Sequence, residues 1–357
     1  MKDRDVYICH TFYHAYVALM MEFNKDKSEY GRADLLLSTM SNDFGGMYER
    51  IKDIRVFNAV YLYEEKEAGQ FPELSRYRED RGNLISNLLQ RIKYTRLLGK
   101  LEEEYVPVDL KQYRNVNVFC DSDPIGFYLN YKKIHYHALE DGLNTGKIDD
   151  QARNSNLGHF GLKKFLSSLG LIFIECGYGR YCDDYIVNDI AANYEPPKNI
   201  KEMPFRKLYE GMSEEAHSLM VKIFLGEGNK LVDQLDVSRY DKPAVMILTE
   251  PLCELDVRKK IFKDIIEEYG KDHTVILKPH PRDILNYEEE FPDNIVIREK
   301  FPMEVMNDIP GLKVKKLISV ITQVDAIMFA DEIVYLGLDF MDKYEDPSVH
   351  RKIGAGE

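Results

Sequence analysis

The sequence predicts an α/β protein of two domains, and three observations carry that prediction. Short apolar runs of strand character alternate with helix-length segments, the pattern of parallel strands joined by crossovers. The alternation halts at a proline-bearing stretch past the middle and then restarts. At 357 residues the chain also exceeds the size at which a single core usually stops growing.

In chain order, "VYICH" (Val6 to His10) reads as a buried strand and "HAYVALMMEF" (His14 to Phe23) as the helix after it. "ADLLLST" (Ala33 to Thr39) is a second strand with "SNDFGG" as its turn, and "IRVFNAVYLY" (Ile54 to Tyr63) a third. Glu73 to Glu104 reads as a charged amphipathic helix whose apolar face is Leu84, Ile85, Leu88, Leu89 and Ile92. "NVNVFCD" (Asn115 to Asp121) and "KIHYHALEDG" (Lys133 to Gly142) are further strands. "NYEPPKNIKEMPF" is the clearest linker, because Pro196, Pro197 and Pro204 discourage regular structure. After it, Ser213 is placed to cap the helix "EEAHSLMVKIFL". "PAVMILTEPL", "HTVILKPHPRD", "NIVIREKFPMEVM", "KLISVITQVDA" and "EIVYLGL" supply a second set of strands, with "LDVRKKIFKDIIEEYG" as a helix ending at Gly270. The expected domains are 1–195 and 196–335, with 336–357 as a tail or crossover helix.

A chain 44% hydrophobic and 31% charged is ordinary for a soluble globular protein, which excludes disordered and collagen-like classes. A net charge of −13 argues against a general nucleic-acid binder, while leaving room for a local basic pocket. Asp3 and Asp5, with His10 and His14 breaking the following apolar run, argue against a signal peptide. No stretch approaches the roughly 18 apolar residues of a membrane span. The five cysteines are scattered and odd in number, so they read as reduced thiols of a cytoplasmic protein. Arg91, Lys93, Arg96 and Lys100 fall late in the long helix. They suit cations that complement its C-terminal dipole, or a peripheral contact with an anionic membrane.

Two stretches could carry chemistry. In "ILKPHPRD", Lys278, His280 and Arg282 follow a strand while Pro279 and Pro281 stiffen the loop between them. Such a cationic loop suits a phosphate, with histidine able to donate a proton near neutral pH; a solvated basic turn is the plainer alternative. In "LEDG", Glu140 and Asp141 point to opposite sides at a strand end, just before Gly142. A partly desolvated carboxylate there can serve as a general base, and a plain turn is again the alternative. Ligands of open α/β sheets sit at the carboxyl ends of strands, where both stretches fall. His10 and Thr11 end the first strand and are placed to line a cleft. His135 and His137 share a strand face without an evident third metal ligand, so packing or cleft lining is expected.

An acid-acid-glycine in one half and a His-Pro in the other resembles the bacterial sialyltransferases: the lipooligosaccharide sialyltransferases of glycosyltransferase family 52 and the capsule polysialyltransferases. Their D/E-D/E-G motif looks like Glu140-Asp141-Gly142, and their HP motif like His280-Pro281. Their Ser-Ser/Thr pair is matched loosely by Ser319 and Thr322, which are not adjacent, and Phe12 stands where the family's first loop commonly has proline. The resemblance covers residues 5 to 335 in order and spacing. It implies a GT-B architecture of two facing Rossmann-like domains with a cleft between them. The donor would be CMP-sialic acid and the acceptor a glycan hydroxyl of a surface polysaccharide or lipooligosaccharide, with inversion, no metal and no other cofactor.

Within that resemblance one of Glu140 and Asp141 takes the acceptor proton, Glu140 being preferred, and His280 donates to the departing phosphate. Lys278, Pro281 and Arg282 would hold the nucleotide sugar. Thr249 and Glu250 in "LTEPL" would meet the cytidine, and Glu304 in "KFPMEVM" the ribose. Thr249, Glu250 and Glu304 equally suit a strand-ending turn and a first-turn acid.

Rival readings begin with Asp121-Ser122-Asp123, a D-x-D of the kind that holds a divalent cation in GT-A transferases. It leaves the second α/β half unexplained, and the two acids also suit a cap or turn. Other CMP- or CDP-linked donors, glucosyl transfer, and a non-catalytic two-lobed binding protein are further alternatives. Oligomeric state is left open by the sequence.

Overall fold

In the computed structural model the described residues are 3–147, 150–193, 195–228, 230–280, 283–322, 324 and 326–350. The chain divides into two compact units, Met1–Ala216 and His217–Glu357.

The first unit is built on a seven-stranded sheet ordered β3-β2-β1-β4-β5-β6-β7, every neighbouring pair parallel. Its strands are β1 (Asp5–Cys9), β2 (Ala33–Ser38), β3 (Ala59–Tyr63), β4 (Val116–Phe119), β5 (Tyr136–Leu139), β6 (Cys182–Val187) and β7 (Ile200–Glu202). Every residue of β1, β2 and β4 is buried, as expected of central parallel strands covered on both faces. Val6, Ile8, Leu36, Val118, Leu129 and Tyr136 belong to one continuous core cluster. The chain steps outward from β1 to β3 and then returns to β4 on the other side of β1. That reversal makes a switch point between the carboxyl ends of β1 and β4, where doubly wound sheets bind ligands.

The helices α1 (Phe12–Phe23), α2 (Gly46–Asp53), α3 (Leu84–Glu102) and α4 (Pro124–Lys132) follow β1, β2, β3 and β4. α3 is shorter than its amphipathic pattern suggests. Pro72–Tyr77 is a 3-10 turn, Gly82 is left-handed (φ +73°), and Asn83 caps the helix by accepting from the Ser86 N–H at 2.9 Å. Its buried residues are Thr95, Leu98, Gly99 and Glu102, whereas Ile85, in the face expected to be apolar and inward, is 73% exposed. Contact with α4 decides this: Gly99 lies so close to α4 that a Cβ would stand 2.3 Å from the Phe127 carbonyl oxygen. Arg91 donates to Asn156 Oδ1 and to the Phe173 carbonyl (3.4 Å), so this cation is spent inside the fold.

The stretch expected to be a linker behaves differently. Ile200–Glu202 pairs with β6 as the last strand of the first sheet, so the division between units comes after Ala216 rather than after residue 195. Ser213 does cap the helix Glu214–Leu225, accepting from the Ala216 N–H at 3.2 Å.

The second unit carries β8 (Ala244–Leu248), β9 (Thr274–Lys278), β10 (Ile295–Val296), β11 (Val314–Ser319) and β12 (Ala330–Tyr335), ordered β10-β9-β8-β11-β12 and all parallel. It repeats the same reversal, now between β8 and β11. Its core joins Val245, Ile247 and Leu277 to Phe262 and Ile265 of the helix Leu255–Tyr269. The segment 338–344 packs on this same unit: Met341 is buried in that core, and the Tyr344 hydroxyl donates to Asp264 at 2.9 Å. All five cysteines are free thiols. Among the described residues no helix is long and apolar enough to cross a membrane.

Candidate functional site

In the first unit the site grows from the turn after β1. Thr11 caps α1, its Oγ1 accepting from the His14 N–H at 3.2 Å. His14 answers from the helix: its Nδ1 accepts the main-chain N–H groups of His10 (3.0 Å) and Thr11 (3.3 Å). This is a capping box with imidazole in the place usually taken by Glu or Gln. Because Nδ1 accepts, the ring proton resides on Nε2. That N–H faces Asp141, 2.7 Å from its carbonyl oxygen and 3.1 Å from its Oδ1. The ring is fully buried and stacked on Phe119 of β4, centroids 4.9 Å apart. Burial lowers its pKa, with the Asp141 hydrogen bond opposing, so His14 is neutral at ordinary pH.

Glu140 and Asp141 leave the end of β5 in opposite directions, as alternation demands. Glu140 is 8% exposed, and its Oε1 accepts the Asn188 N–H at 2.8 Å. Burial pushes its carboxyl up to about 7 against the Asn188 and Asn144 N–H groups. The Asp141 side chain is 46% exposed. The His14 hydrogen bond holds its carboxyl below the usual range, burial opposing. Gly142 closes the turn, its N–H donating to Thr145 Oγ1 at 2.9 Å.

His10 lies beneath this layer rather than lining an opening. It is 2% exposed, its Nε2 2.7 Å from Glu65 Oε2 and 3.5 Å from Asp123 Oδ2. Burial works against its charge, but Glu65 and Asp123 raise its pKa to about 9, so it is cationic. Glu65 also accepts from Ser38 Oγ (2.7 Å) and the Ile125 N–H (2.9 Å), tying the ends of β1, β2 and α4 together.

The D-x-D acids are engaged internally. Asp121 is buried, one oxygen accepting from the Tyr136 hydroxyl (2.8 Å) and the other from the Cys176 N–H (2.9 Å). Burial raises the carboxyls of both Asp121 and Asp123 to about 6. His135 and His137 each pair with a carboxylate of β6, Asp183 at 2.6 Å and Asp184 at 2.8 Å, so they are cross-strand contacts. Among the described residues no group of three or more His, Cys, Asp or Glu is disposed to hold a metal.

In the second unit four of the expected residues converge on the switch point. Glu250, just beyond β8, is buried and accepts from the N–H groups of Ile321 (3.1 Å) and Thr322 (2.6 Å) and from Ser319 Oγ (3.2 Å). Ser319 Oγ lies 2.7 Å from the Thr322 carbonyl oxygen. The Thr249 N–H donates to the Lys278 carbonyl at 3.1 Å, and its Oγ1 is 3.4 Å from Asp283, which pairs with Arg258 at 2.6 Å. These side chains therefore build the platform of the β8, β9 and β11 loops.

Lys278 is buried at the end of β9, its Nζ 3.2 Å from the Glu299 carbonyl and 4.5 Å from the Phe301 ring centroid. Burial lowers its pKa to about 8. His280 follows it, its carbonyl accepting the Asp283 N–H at 2.8 Å. Lys278, His280, Asn286 and Lys300 line a pocket of about 190 Å³. Glu304 is half-buried in the 3-10 turn Met303–Asp308, its carboxyl raised by burial. Pro281 and Arg282 lie outside the described residues.

His14 and Glu65 are the site residues that sequence reasoning passed over. Glu65 carries no local signal. His14 had one: Thr11-x-x-His14 at the start of an apolar helix has the spacing of a capping box.

Two parallel, doubly wound Rossmann-like units in one chain, each with polar residues at a switch point, are the parts of a GT-B fold. Residues 111–322 match the sequence profile of glycosyltransferase family 52, and the chain belongs to that family. An uncharacterized protein of Haemophilus influenzae is 32% identical over 126 residues, 34% of this chain and 37% of that one. The chain thus spans little more than a third of the length of the curated relative it matches. The fold is similar to the 2,6-sialyltransferase of Photobacterium sp. JT-ISH-224, solved in a ternary complex with the donor product CMP and the acceptor substrate lactose. There the TM-score is 0.52 at 11% identity, over 93% of this chain and 71% of that one. It is likewise similar to the sialyltransferase of Photobacterium damsela, with a TM-score of 0.50 at 15% identity over 93% and 74% of the two chains.

Proposed function

We propose that this protein transfers sialic acid from CMP-sialic acid to a hydroxyl of a cell-surface glycan, with inversion and without a required metal. The observation that carries the reading is Asp141. It is a half-exposed carboxylate at the carboxyl end of β5, beside a sheet switch point and braced by a buried imidazole. Membership of a glycosyltransferase family supports glycosyl transfer. The CMP and lactose held by a protein of similar fold make a CMP-linked donor and a glycan acceptor the first pair to test.

Asp141, rather than Glu140, is the base in this reading. Glu140 has an oxygen committed to a main-chain N–H and is nearly sealed from solvent, so a sugar hydroxyl has little access to it. Asp141 removes the acceptor proton as the acceptor oxygen bonds to the anomeric carbon. The bond from that carbon to the CMP phosphate oxygen breaks, its electron pair leaving with the phosphate through an oxocarbenium-like transition state. His280 donates to that phosphate, and Lys278 beside it adds positive charge. Glu250 fixes the loops on which the nucleotide rests.

The test is incubation with CMP-sialic acid and a lactose-terminated acceptor, with and without EDTA, following CMP release and product mass. The expected result is product formation unaffected by EDTA and lost in His280→Ala. Turnover only of a UDP-sugar with manganese, or donor binding without turnover, overturns the reading.

A further inference from the structure

We propose that His14 is a positioning residue for the transfer, an N–H donor locked in one tautomer that fixes the main chain and carboxylate of Asp141 towards the acceptor hydroxyl. The inference rests on the reading of Asp141 as the base. It is carried by the geometry at both ring nitrogens. Nδ1 is committed to two main-chain donors, His10 and Thr11, whose own positions are set by the end of β1 and the start of α1. Protonating Nδ1 would turn its lone pair into an N–H pointed at two other N–H groups, so the ring is barred from relaying a proton. What it can do is donate from Nε2, and both acceptors there belong to Asp141.

The ring cannot drift, because it is fully buried, tied at Nδ1 to the turn after β1 and stacked on Phe119 of β4. The other ionisable groups that bear on Asp141 are His10 and Cys120; Asp141 in turn acts on Asp123, which sits against His10. Of these, His14 exerts the largest effect on the Asp141 carboxyl. A carboxylate left to rotate would lose the oriented lone pair that a near-attack geometry needs. Misplacements of about 1 Å cost on the order of 100-fold in rate.

Two substitutions separate the ring's two contacts. His14→Gln puts an amide N–H near the Nε2 position and keeps the donor to Asp141; His14→Asn keeps an acceptor for the His10 and Thr11 N–H groups but does not reach Asp141. In the full-length protein, His14→Asn is expected to lower kcat about 100-fold with donor KM unchanged, and His14→Gln to stay within about 10-fold of wild type. The acidic limb of the kcat profile should move to higher pH in His14→Asn, because Asp141 loses the donor that favours its charged form.

Activity-independent readouts keep this separable from the transferase reading. In 13C NMR titration the Asp141 carboxyl should titrate lowest in wild type, highest in His14→Asn and between them in His14→Gln. The 15N shifts should show the Nε2–H tautomer of His14. Equal loss of activity in both variants with an unmoved Asp141 titration, or an Nδ1–H tautomer, overturns the positioning role. Absence of transfer in wild type with the titration order intact overturns the transferase reading and leaves the His14–Asp141 coupling standing. Should either variant fail to fold, wild-type 15N and 13C titrations still decide the tautomer and the coupling.

Discussion

Adjacent side chains at the end of β5 meet opposite fates, and that contrast sets the first prediction. Glu140 turns into the fold and accepts a main-chain N–H, while Asp141 stays half-exposed under His14. Asp141→Asn should lower kcat by about 10³-fold, within the range expected for loss of a general base, with its fold intact by circular dichroism. Glu140→Gln should retain most activity with a melting temperature at neutral pH no lower than wild type, because burial already disfavours the charged carboxylate and the amide oxygen still accepts the Asn188 N–H. Below them, His10 and Glu65 form a buried ion pair, and His10→Ala should destabilise by about 3–5 kcal/mol because Glu65 is left charged and unpaired. The pH dependence has a definite sign. His10 is raised from 6.5 to about 9, so its stabilisation is complete below pH 6.5 and is lost as pH rises through about 9. Urea denaturation at pH 6 and pH 9.5 measures this: wild type should lose stability across the interval and His10→Ala much less.

Between elements, close approach and loop clamping matter more than any one side chain. α3 and α4 meet at Gly99, where a Cβ would stand 2.3 Å from the Phe127 carbonyl and 2.6 Å from the Tyr131 Cβ. Gly99→Ala gains up to about 1 kcal/mol of helix propensity, but overpacking against a backbone carbonyl costs roughly 1–3 kcal/mol, so thermal stability should fall. At the second switch point, Glu250→Ala leaves the partly buried N–H groups of Ile321 and Thr322 without their carboxylate, at about 1–3 kcal/mol in all. The loop after β11 should loosen and donor KM rise, measured by CMP titration, whereas Glu250→Gln should restore much of the affinity. Element positions were largely legible beforehand, because β1, β2, β4, β8 and β9 are runs of apolar residues buried on both faces. β6 was not, because Asp183 and Asp184 give it a polar appearance until His135 and His137 of the neighbouring segment pair with them. β7 was hidden in a proline-flanked stretch, since a three-residue edge strand carries little pattern of its own.

At the scale of the molecule, the two-unit organisation followed from the restart of alternation, and Glu140, Asp141 and His280 were recognisable as strand-end residues. The division after Ala216 and the brace from His14 were not, because both depend on long-range pairing: β7 against β6, and His14 against a residue 127 positions away. Each unit has its own sheet and its own buried cluster, which leads to a calorimetric prediction. Unfolding should depart from a single two-state transition, with the calorimetric enthalpy exceeding the van't Hoff value. Gly99→Ala should lower the component belonging to the first unit. CMP, if held by the β8, β9 and β11 loops, should raise the other by about 2.7 kcal/mol at a concentration 100 times its Kd. A single transition shifted as a whole by both perturbations would mean that the two cores unfold as one cooperative body, and would remove the basis for assigning the donor to the second unit by this method.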